Sequence, residues 1–271
     1  MIKLIATDLD GSLLNDEKQI PDNLDYVLEK LAEKGVAFAA VTGRNFHATE
    51  PALGDRVYKM ICVCNNGANI YENGESIISY PLTKERVHCT LDAISDMENT
   101  APLVFTLDKC YSASGPEKFM EWAKAPYSPI TWVDSYEQLY NISEDVYKIS
   151  VFDGSGRIES YSYPVIRNAL KRDSAVYISG EIWVDIVSTH ASKGEGLKFL
   201  QEKFGVTKEE TMAFGDYYND ESLLAEAGCP FVMENGVQRL KDKYPRRAGS
   251  NNQAGVTNTI IDYVIENNKK L

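Results

Sequence analysis

The chain has little that would tie it to a membrane, a secretory route or a nucleic acid. No apolar run is long enough to span a bilayer. Met1-Ile2-Lys3-Leu4 lacks a signal-peptide layout, because acidic Asp8 follows at once. Cations are scarce: 28 Lys and Arg stand against 40 Asp and Glu, giving a net charge of −12. That balance excludes a general nucleic-acid or membrane binder. An anionic small substrate stays open, since a local cation or a metal can invert the field at a site. Cysteine is sparse and odd in number, at five. Cys62-Val63-Cys64 has the wrong spacing for a zinc ribbon, and no His follows nearby. The expectation is a cytoplasmic protein with reduced, buried thiols. Asn141-Ile142-Ser143 matches a glycosylation sequon by chance.

What is present is an ordinary globular composition, 44% hydrophobic and 25% charged over 271 residues. That length suits two domains or one large one and can bury a substantial core. Repeats and low-complexity tracts are missing. Ile2 to Ala6 reads as a buried strand. A helix from about Asp22 carries Leu24, Val27, Leu28 and Leu31 on one face and stops at Gly35. Val36–Val41 and Met60–Cys64 read as further strands, with a short helix from Arg44 to Leu53 between them. This alternation predicts a parallel, doubly wound sheet.

The pattern changes after Asn73-Gly74, a hairpin signal. The stretch to about Trp183 is richer in aromatics and turns. It predicts helices at Arg86–Met97 and Ile158–Leu170, and strands at Leu103–Leu107, Val146–Phe152, Val176–Ser179 and Ile182–Val187. Alternation then resumes. Ser192 opens a helix with Glu195 three residues on, a capping-box spacing. Met212–Phe214, Asn219–Ala227, Phe231–Met233 and Thr257–Glu266 follow as strand, helix, strand and helix. The expected organisation is a core of residues 1–82 and 188–271, interrupted by an α/β insert at 83–187.

The chemistry gathers at the ends of the predicted core strands. Asp8 and Asp10 follow the first strand. Asp216, Asn219 and Asp220 follow another, in Gly215-Asp216-Tyr217-Tyr218-Asn219-Asp220. Two carboxylates about 4 Å apart repel by about 4 kcal/mol at an effective dielectric near 20. Such a pair needs a cation or a shared proton. Oxygen ligands without His point to Mg²⁺ ahead of Mn²⁺ or Ca²⁺. Thr42-Gly43-Arg44 follows the strand Val36–Val41, where a hydroxyl, a backbone N–H and a helix start can hold phosphate oxygens. The plainer reading is an N-cap Thr with a turn Gly. Lys193 sits in a first helical turn, where the macrodipole disfavours a cation. It needs an anionic partner such as a phosphoryl group or Asp8, unless it is a solvated surface Lys. Asn65-Asn66-Gly67-Ala68 closes a third strand, if only as a turn.

The order of these motifs resembles the haloacid dehalogenase superfamily of phosphohydrolases. The motifs are Asp8-Leu9-Asp10-Gly11-Ser12-Leu13-Leu14, Val41-Thr42-Gly43-Arg44, Ser192-Lys193-Gly194 and Gly215–Asp220. The α/β insert and Asn66-Gly67-Ala68 are similar to the Cof-type, class IIB capped sugar-phosphate phosphatases. The resemblance implies a Rossmann-like core with an inserted cap that sets specificity. It implies that Asp8 is a nucleophile and Asp10 a general acid and base, whose closeness to Asp8 favours a held proton. It implies Mg²⁺ on the Asp8 carboxylate, the Asp10 carbonyl and the Asp216 carboxylate. Thr42, Gly43, Arg44, Lys193 and Asn219 would bind the phosphoryl group or substrate, with Asp220 orienting Lys193 or a metal water.

The implied function is Mg²⁺-dependent hydrolysis of a small phosphorylated metabolite by a monomer or weak homo-oligomer. The alternatives are a phosphotransferase or mutase using the same phospho-enzyme, and a non-catalytic metabolite-binding module. A receiver-type phospho-acceptor fits less well, because Asp10 and the insert are not expected there. Ser12 stands where Thr is more usual, and Glu234 where Gly is common. Trp183, Asp185, Tyr127 and Trp132 are candidates in the insert, with packing as the plainer reading.

Overall fold

In a computed structural model describing residues 1–124, 129–171, 174–266 and 268, the chain divides into two compact units. Met1–Ile78 joins Ser192–Leu271 in one, and Ser79–Ala191 makes the other. The strands in chain order are β1 Leu4–Thr7, β2 Ala37–Val41, β3 Ile61–Cys64, β4 Asn69–Glu72 and β5 Glu75–Ser79. Then come β6 Thr100–Phe105, β7 Cys110–Ser112, β8 Ile130–Trp132, β9 Lys148–Asp153, β10 Ser174–Gly180 and β11 Trp183–Ser188. β12 Thr211–Gly215, β13 Cys229–Met233 and β14 Arg247–Ala248 complete the set.

The first unit is built on an eight-stranded sheet ordered β14-β13-β12-β1-β2-β3-β4-β5. Every pairing from β14 to β3 is parallel, whereas β3 and β4 run antiparallel. β1, β3, β12 and β13 are buried along their whole length. Parallel strands covered on both faces read as continuous apolar runs, which is why they were visible in the sequence. Helix Leu24–Glu33 buries Leu24, Val27, Leu28 and Leu31, the stripe its spacing predicts. On one face of the sheet Leu4, Ala39, Val41, Val63, Leu197, Leu200, Leu223 and Leu240 form one cluster.

Several boundaries differ from expectation. The helix predicted from Arg44 begins at Phe46, because the Asn45 side chain caps it by accepting the Ala48 N–H at 3.1 Å. Thr42 and Gly43 therefore precede that helix rather than opening it. The helix predicted over 219–227 is a 3₁₀ turn at Tyr218–Asp220 followed by Glu221–Ala225. The closing helix is Gly255–Ile260, widening to a π-turn over Ile261–Ile265. The five cysteines are free, and all but Cys89 are buried. Burial alone pushes the Cys62 thiol up to about 12. Among the described residues no helix is long and apolar enough to cross a membrane.

The second unit is a six-stranded sheet ordered β10-β11-β9-β6-β7-β8. It is antiparallel except for β7 with β8. β6 begins at Thr100, three residues before its predicted start, and runs through Pro102. Val104, Ile149, Val151, Val184 and Ile186 share a core with Leu91, Ile94 and Ile166 of helices Lys84–Ser95 and Ser162–Leu170. Trp183 packs edge-on against Trp122 and Phe152, a core role. Trp132 meets Phe119 and stays 43% exposed. Asp185 is buried and accepts the Ser150 hydroxyl at 2.5 Å. Tyr127 lies outside the described residues.

Candidate active site

Asp8 leaves β1 at the C-terminal edge of the sheet, its N–H bonded to the Phe214 carbonyl at 3.1 Å. The chain then turns tightly, with Leu13 and Leu14 donating back to the carbonyls of Asp8 and Leu9. Gly11 lies at φ +82°, and a Cβ there would overlap the Asp216 carboxylate. A side chain at this position would compete with Asp216 for its space. Ser12 donates its hydroxyl to Asp216 Oδ1 at 3.0 Å and so fixes that carboxylate.

Lys193 is the cation at the centre. Ser192 caps its helix by accepting the Glu195 N–H at 2.9 Å. The Lys193 side chain is 1% exposed and reaches Asp8 Oδ1 and Asp220 Oδ1, each at 2.6 Å. The surface-Lys reading is thereby excluded. Asp220 Oδ2 accepts the backbone N–H groups of Asp216 and Tyr217 at 2.9 and 3.0 Å. Both its oxygens are thus engaged by fixed donors. Asn219 is buried and donates to Asn66 Oδ1 at 3.1 Å. Asn65, Asn66 and Gly67 all lie at positive φ, and a Cβ on Gly67 would overlap the Ser192 backbone carbonyl. We expect Gly67→Ala to lower stability by about 2 kcal/mol or more and to cut activity with it. Denaturant unfolding beside a turnover assay would register both.

The charges do not balance within the protein. Oxygens of Asp8, Asp216 and Asp220 lie within 4.8 Å of one another, against the single ammonium of Lys193. Burial raises the Asp8 carboxyl to about 7, opposed by Lys193 and assisted by the charges of Asp220 and Asp10. Burial also raises Asp216 well above the carboxylate range, with Asp8 and Asp220 adding to it. Burial works against the Lys193 ammonium, yet Asp220 and Asp8 hold it firmly protonated. Fully ionised, three carboxylates and one ammonium would leave two negative charges, the state that a divalent cation bound by oxygen would favour. The donor set therefore fits Mg²⁺.

Asp10 differs from expectation. Its carboxylate takes Arg44 Nε on Oδ2 at 2.6 Å and Arg44 Nη2 on Oδ1 at 2.7 Å. Lys18 Nζ lies 2.9 Å from the same Oδ1. Burial works to raise Asp10, but the bond to Arg44 and the charges of Arg44 and Lys18 outweigh it and hold the group below the usual range. The raised carboxyls are Asp8 and Asp216; Asp10 rests ionised because two cations face it. Arg44 also donates Nη1 to the Ala48 carbonyl at 3.2 Å, and its N–H to the buried Thr42 hydroxyl at 3.1 Å. Gly43 is half-buried between them. Lys18 and the bonds of Ser12 and Asn66 were not anticipated. Nothing in their one-dimensional spacing marks them, since each acts across a turn. Glu234 is exposed, its N–H bonded to the Ala248 carbonyl.

A family model for haloacid dehalogenase-like hydrolases matches residues 5–260, a span holding every one of these groups. The chain belongs to that family. Membership makes it an enzyme, a hydrolase of the phosphatase type. Among curated relatives, the Escherichia coli protein 5-amino-6-(5-phospho-D-ribitylamino)uracil phosphatase YbjI is 25% identical, covering 98% of this chain and 97% of its own. The Bacillus subtilis phosphatase YitU, of the same name, is 26% identical over 96% of this chain and 97% of its own. Among solved structures, SMU.1108c from Streptococcus mutans superposes with a TM-score of 0.89 at 24% identity, covering 97% of this chain and 99% of its own. The subclass IIB sugar phosphatase BT4131 gives 0.81 at 20% identity, over 97% and 99%. At such identities the structural likeness establishes the fold. The haloacid dehalogenase fold, with its Cof-type inserted unit, is the architecture described above.

Proposed function

We propose that this hydrolase removes phosphate from a small phosphorylated metabolite, a sugar or sugar-alcohol phosphate, with Mg²⁺ and through a phospho-aspartate at Asp8. The observation that carries the reading is the gathering of the Asp8, Asp216 and Asp220 carboxylates beside the Lys193 ammonium. The names of the curated relatives, whose substrate is a phosphorylated ribityl compound, support the substrate class. The inserted unit Ser79–Ala191 is the proposed specificity element.

The ion would be held by the carboxylates of Asp8 and Asp216 and the Asp10 carbonyl, and would supply charge neutralisation to a dianionic substrate. Asp8 attacks phosphorus; the bond to the ester oxygen breaks as Asp10 gives that oxygen a proton. Asp10 then takes a proton from water, which attacks the phospho-aspartate and frees phosphate and the Asp8 carboxylate. Lys193 neutralises charge that develops on the phosphoryl oxygens, and Asp220 keeps Lys193 in place. Thr42, the Gly43 N–H and Asn219 bind the transferring group. Arg44 is a ligand for phosphoryl oxygens as well as for Asp10. A bound phosphate therefore competes for the guanidinium, loosening Asp10, which takes up a proton from solvent before it can give one to the ester oxygen.

A panel of phosphorylated metabolites assayed with Mg²⁺, with and without EDTA, tests this. Phosphate release from a sugar or polyol phosphate that EDTA abolishes is the expected result. Release undiminished by EDTA, or none from any ester, would overturn it.

A further inference from the structure

The resting contacts of Asp10 raise a geometric question. If Arg44 turns to the phosphoryl group, Oδ2 of Asp10 loses its bond to Nε and Oδ1 its bond to Nη2. Lys18 Nζ, 2.9 Å away, still holds Oδ1. The loop carrying Lys18 is an ordered turn. Lys18 itself lies at φ +63°, a region that L residues with long side chains seldom enter. Its N–H bonds the Asn15 carbonyl at 2.9 Å, and Asn15 and Gln19 close the turn through three more hydrogen bonds.

That turn is in turn braced from the far end of the chain. Asp16 accepts the side-chain amides of Asn251 and Asn252 at 3.0 and 2.8 Å, and its own N–H donates to Asn252 Oδ1 at 3.0 Å. Asn251 also donates to the Leu14 carbonyl at 3.1 Å. Asn235 donates to the Gly11 carbonyl at 2.8 Å and accepts the Asn251 N–H at 3.0 Å. The loop is thus tied at Gly11, Leu14 and Asp16, all within the stretch that runs from Asp10 to Lys18. Lys18 is exposed, with its side chain 39% accessible, and the bracing acts on the loop backbone around it.

We propose that Lys18 is a positioning residue for Asp10, pinning Oδ1 so that Oδ2 faces the ester oxygen once Arg44 has turned to the phosphate. The inference rests on the proposed role of Asp10. It has a consequence that distinguishes Lys18 from a general contributor to stability or phosphate binding. A poorly placed acid matters most when the leaving oxygen needs a proton. An alkyl phosphate releases a strongly basic alkoxide unless it is protonated. p-Nitrophenyl phosphate releases a stabilised phenoxide that does not need one.

The test compares kcat/KM of the wild type, Lys18→Met and Lys18→Arg on a sugar phosphate and on p-nitrophenyl phosphate, with Mg²⁺ present. kcat/KM reports steps up to the first irreversible one, the transfer to Asp8. Since a positioned acid contributes roughly 10²- to 10⁴-fold, loosening it in Lys18→Met should lower kcat/KM on the sugar phosphate about tenfold. The loss on p-nitrophenyl phosphate should be no more than about twofold, and Lys18→Arg should restore most of the sugar-phosphate rate. An equal fall on both esters, or no fall on either, would sink the positioning role. Failure of the wild type on both esters would instead tell against the proposed function itself, so the two failures are separable.

Discussion

Asp8→Asn is expected to lower Mg²⁺-dependent hydrolysis of p-nitrophenyl phosphate by about 10⁴-fold or more, the scale seen when a nucleophile that works as a unit with its neighbours is removed. Circular dichroism should show the fold intact, because Asn fills nearly the same volume. The same variant should behave unusually toward heat. The Asp8 carboxyl sits at about 7 in the fold, above its ordinary 3.8, chiefly through burial. A raised acid contributes its stability below the unfolded value and loses it as pH rises through the folded one. At pH 8, without metal, ionised Asp8 therefore weakens the fold. Asn removes that charge, so metal-free Asp8→Asn should melt at or above the wild-type temperature at pH 8, with the advantage vanishing near pH 4. Near-wild-type turnover in the variant would defeat the nucleophile assignment; a lower melting temperature at pH 8 would defeat the electrostatic account.

Lys193→Met is the second large effect. Its ammonium is the shared partner of Asp8 and Asp220, with both ion pairs buried. Met keeps most of the packing volume and deletes the charge, leaving Asp8, Asp216 and Asp220 without it. Removing one partner of a buried pair costs about 3–5 kcal/mol. Urea unfolding at pH 8 without metal should show a loss of that order. The loss should shrink as pH falls, because protonated carboxyls no longer need the ammonium. Mg²⁺ should recover part of the stability while leaving turnover low, since charge balance is restored without the group proposed to meet the phosphoryl oxygens. A variant as active and as stable as the wild type would return Lys193 to the status of a spectator.

Both predictions draw on features that were partly legible in the sequence. Lys193 stood out because a first-turn cation contradicts the helix dipole, and the contradiction is resolved by Asp8 and Asp220. The core strands were legible because parallel strands buried on both faces leave unbroken apolar runs. β7, β8 and β14 were not, being two or three residues long and too short for any period to register. The start of the helix at Phe46 was recoverable from Asn45, a good cap, but Arg44 drew the boundary forward. The protonation of Asp10 was the chief misreading. Its closeness to Asp8 in sequence suggested a held proton, whereas in the fold its carboxylate faces Arg44 and Lys18. Such contacts, and a Lys held at positive φ, leave no periodic trace.

The pairing of β1 bears on how the enzyme comes into being. Leu4 pairs with Ala37 on one side and with Thr211 on the other. A ribosome emitting this chain from its N-terminus has made Asp8 long before the second neighbour of β1 exists. Until residue 211 emerges, the strand that leads to Asp8 is a bare sheet edge, open to unwanted pairing. The contacts that close it span some two hundred residues, and contacts so distant slow folding. Ser79–Ala191 is compact in its own right and is complete before Lys193 appears. Synthesis order thus brings Asp8 together with Lys193, Asp216 and Asp220 only late in maturation.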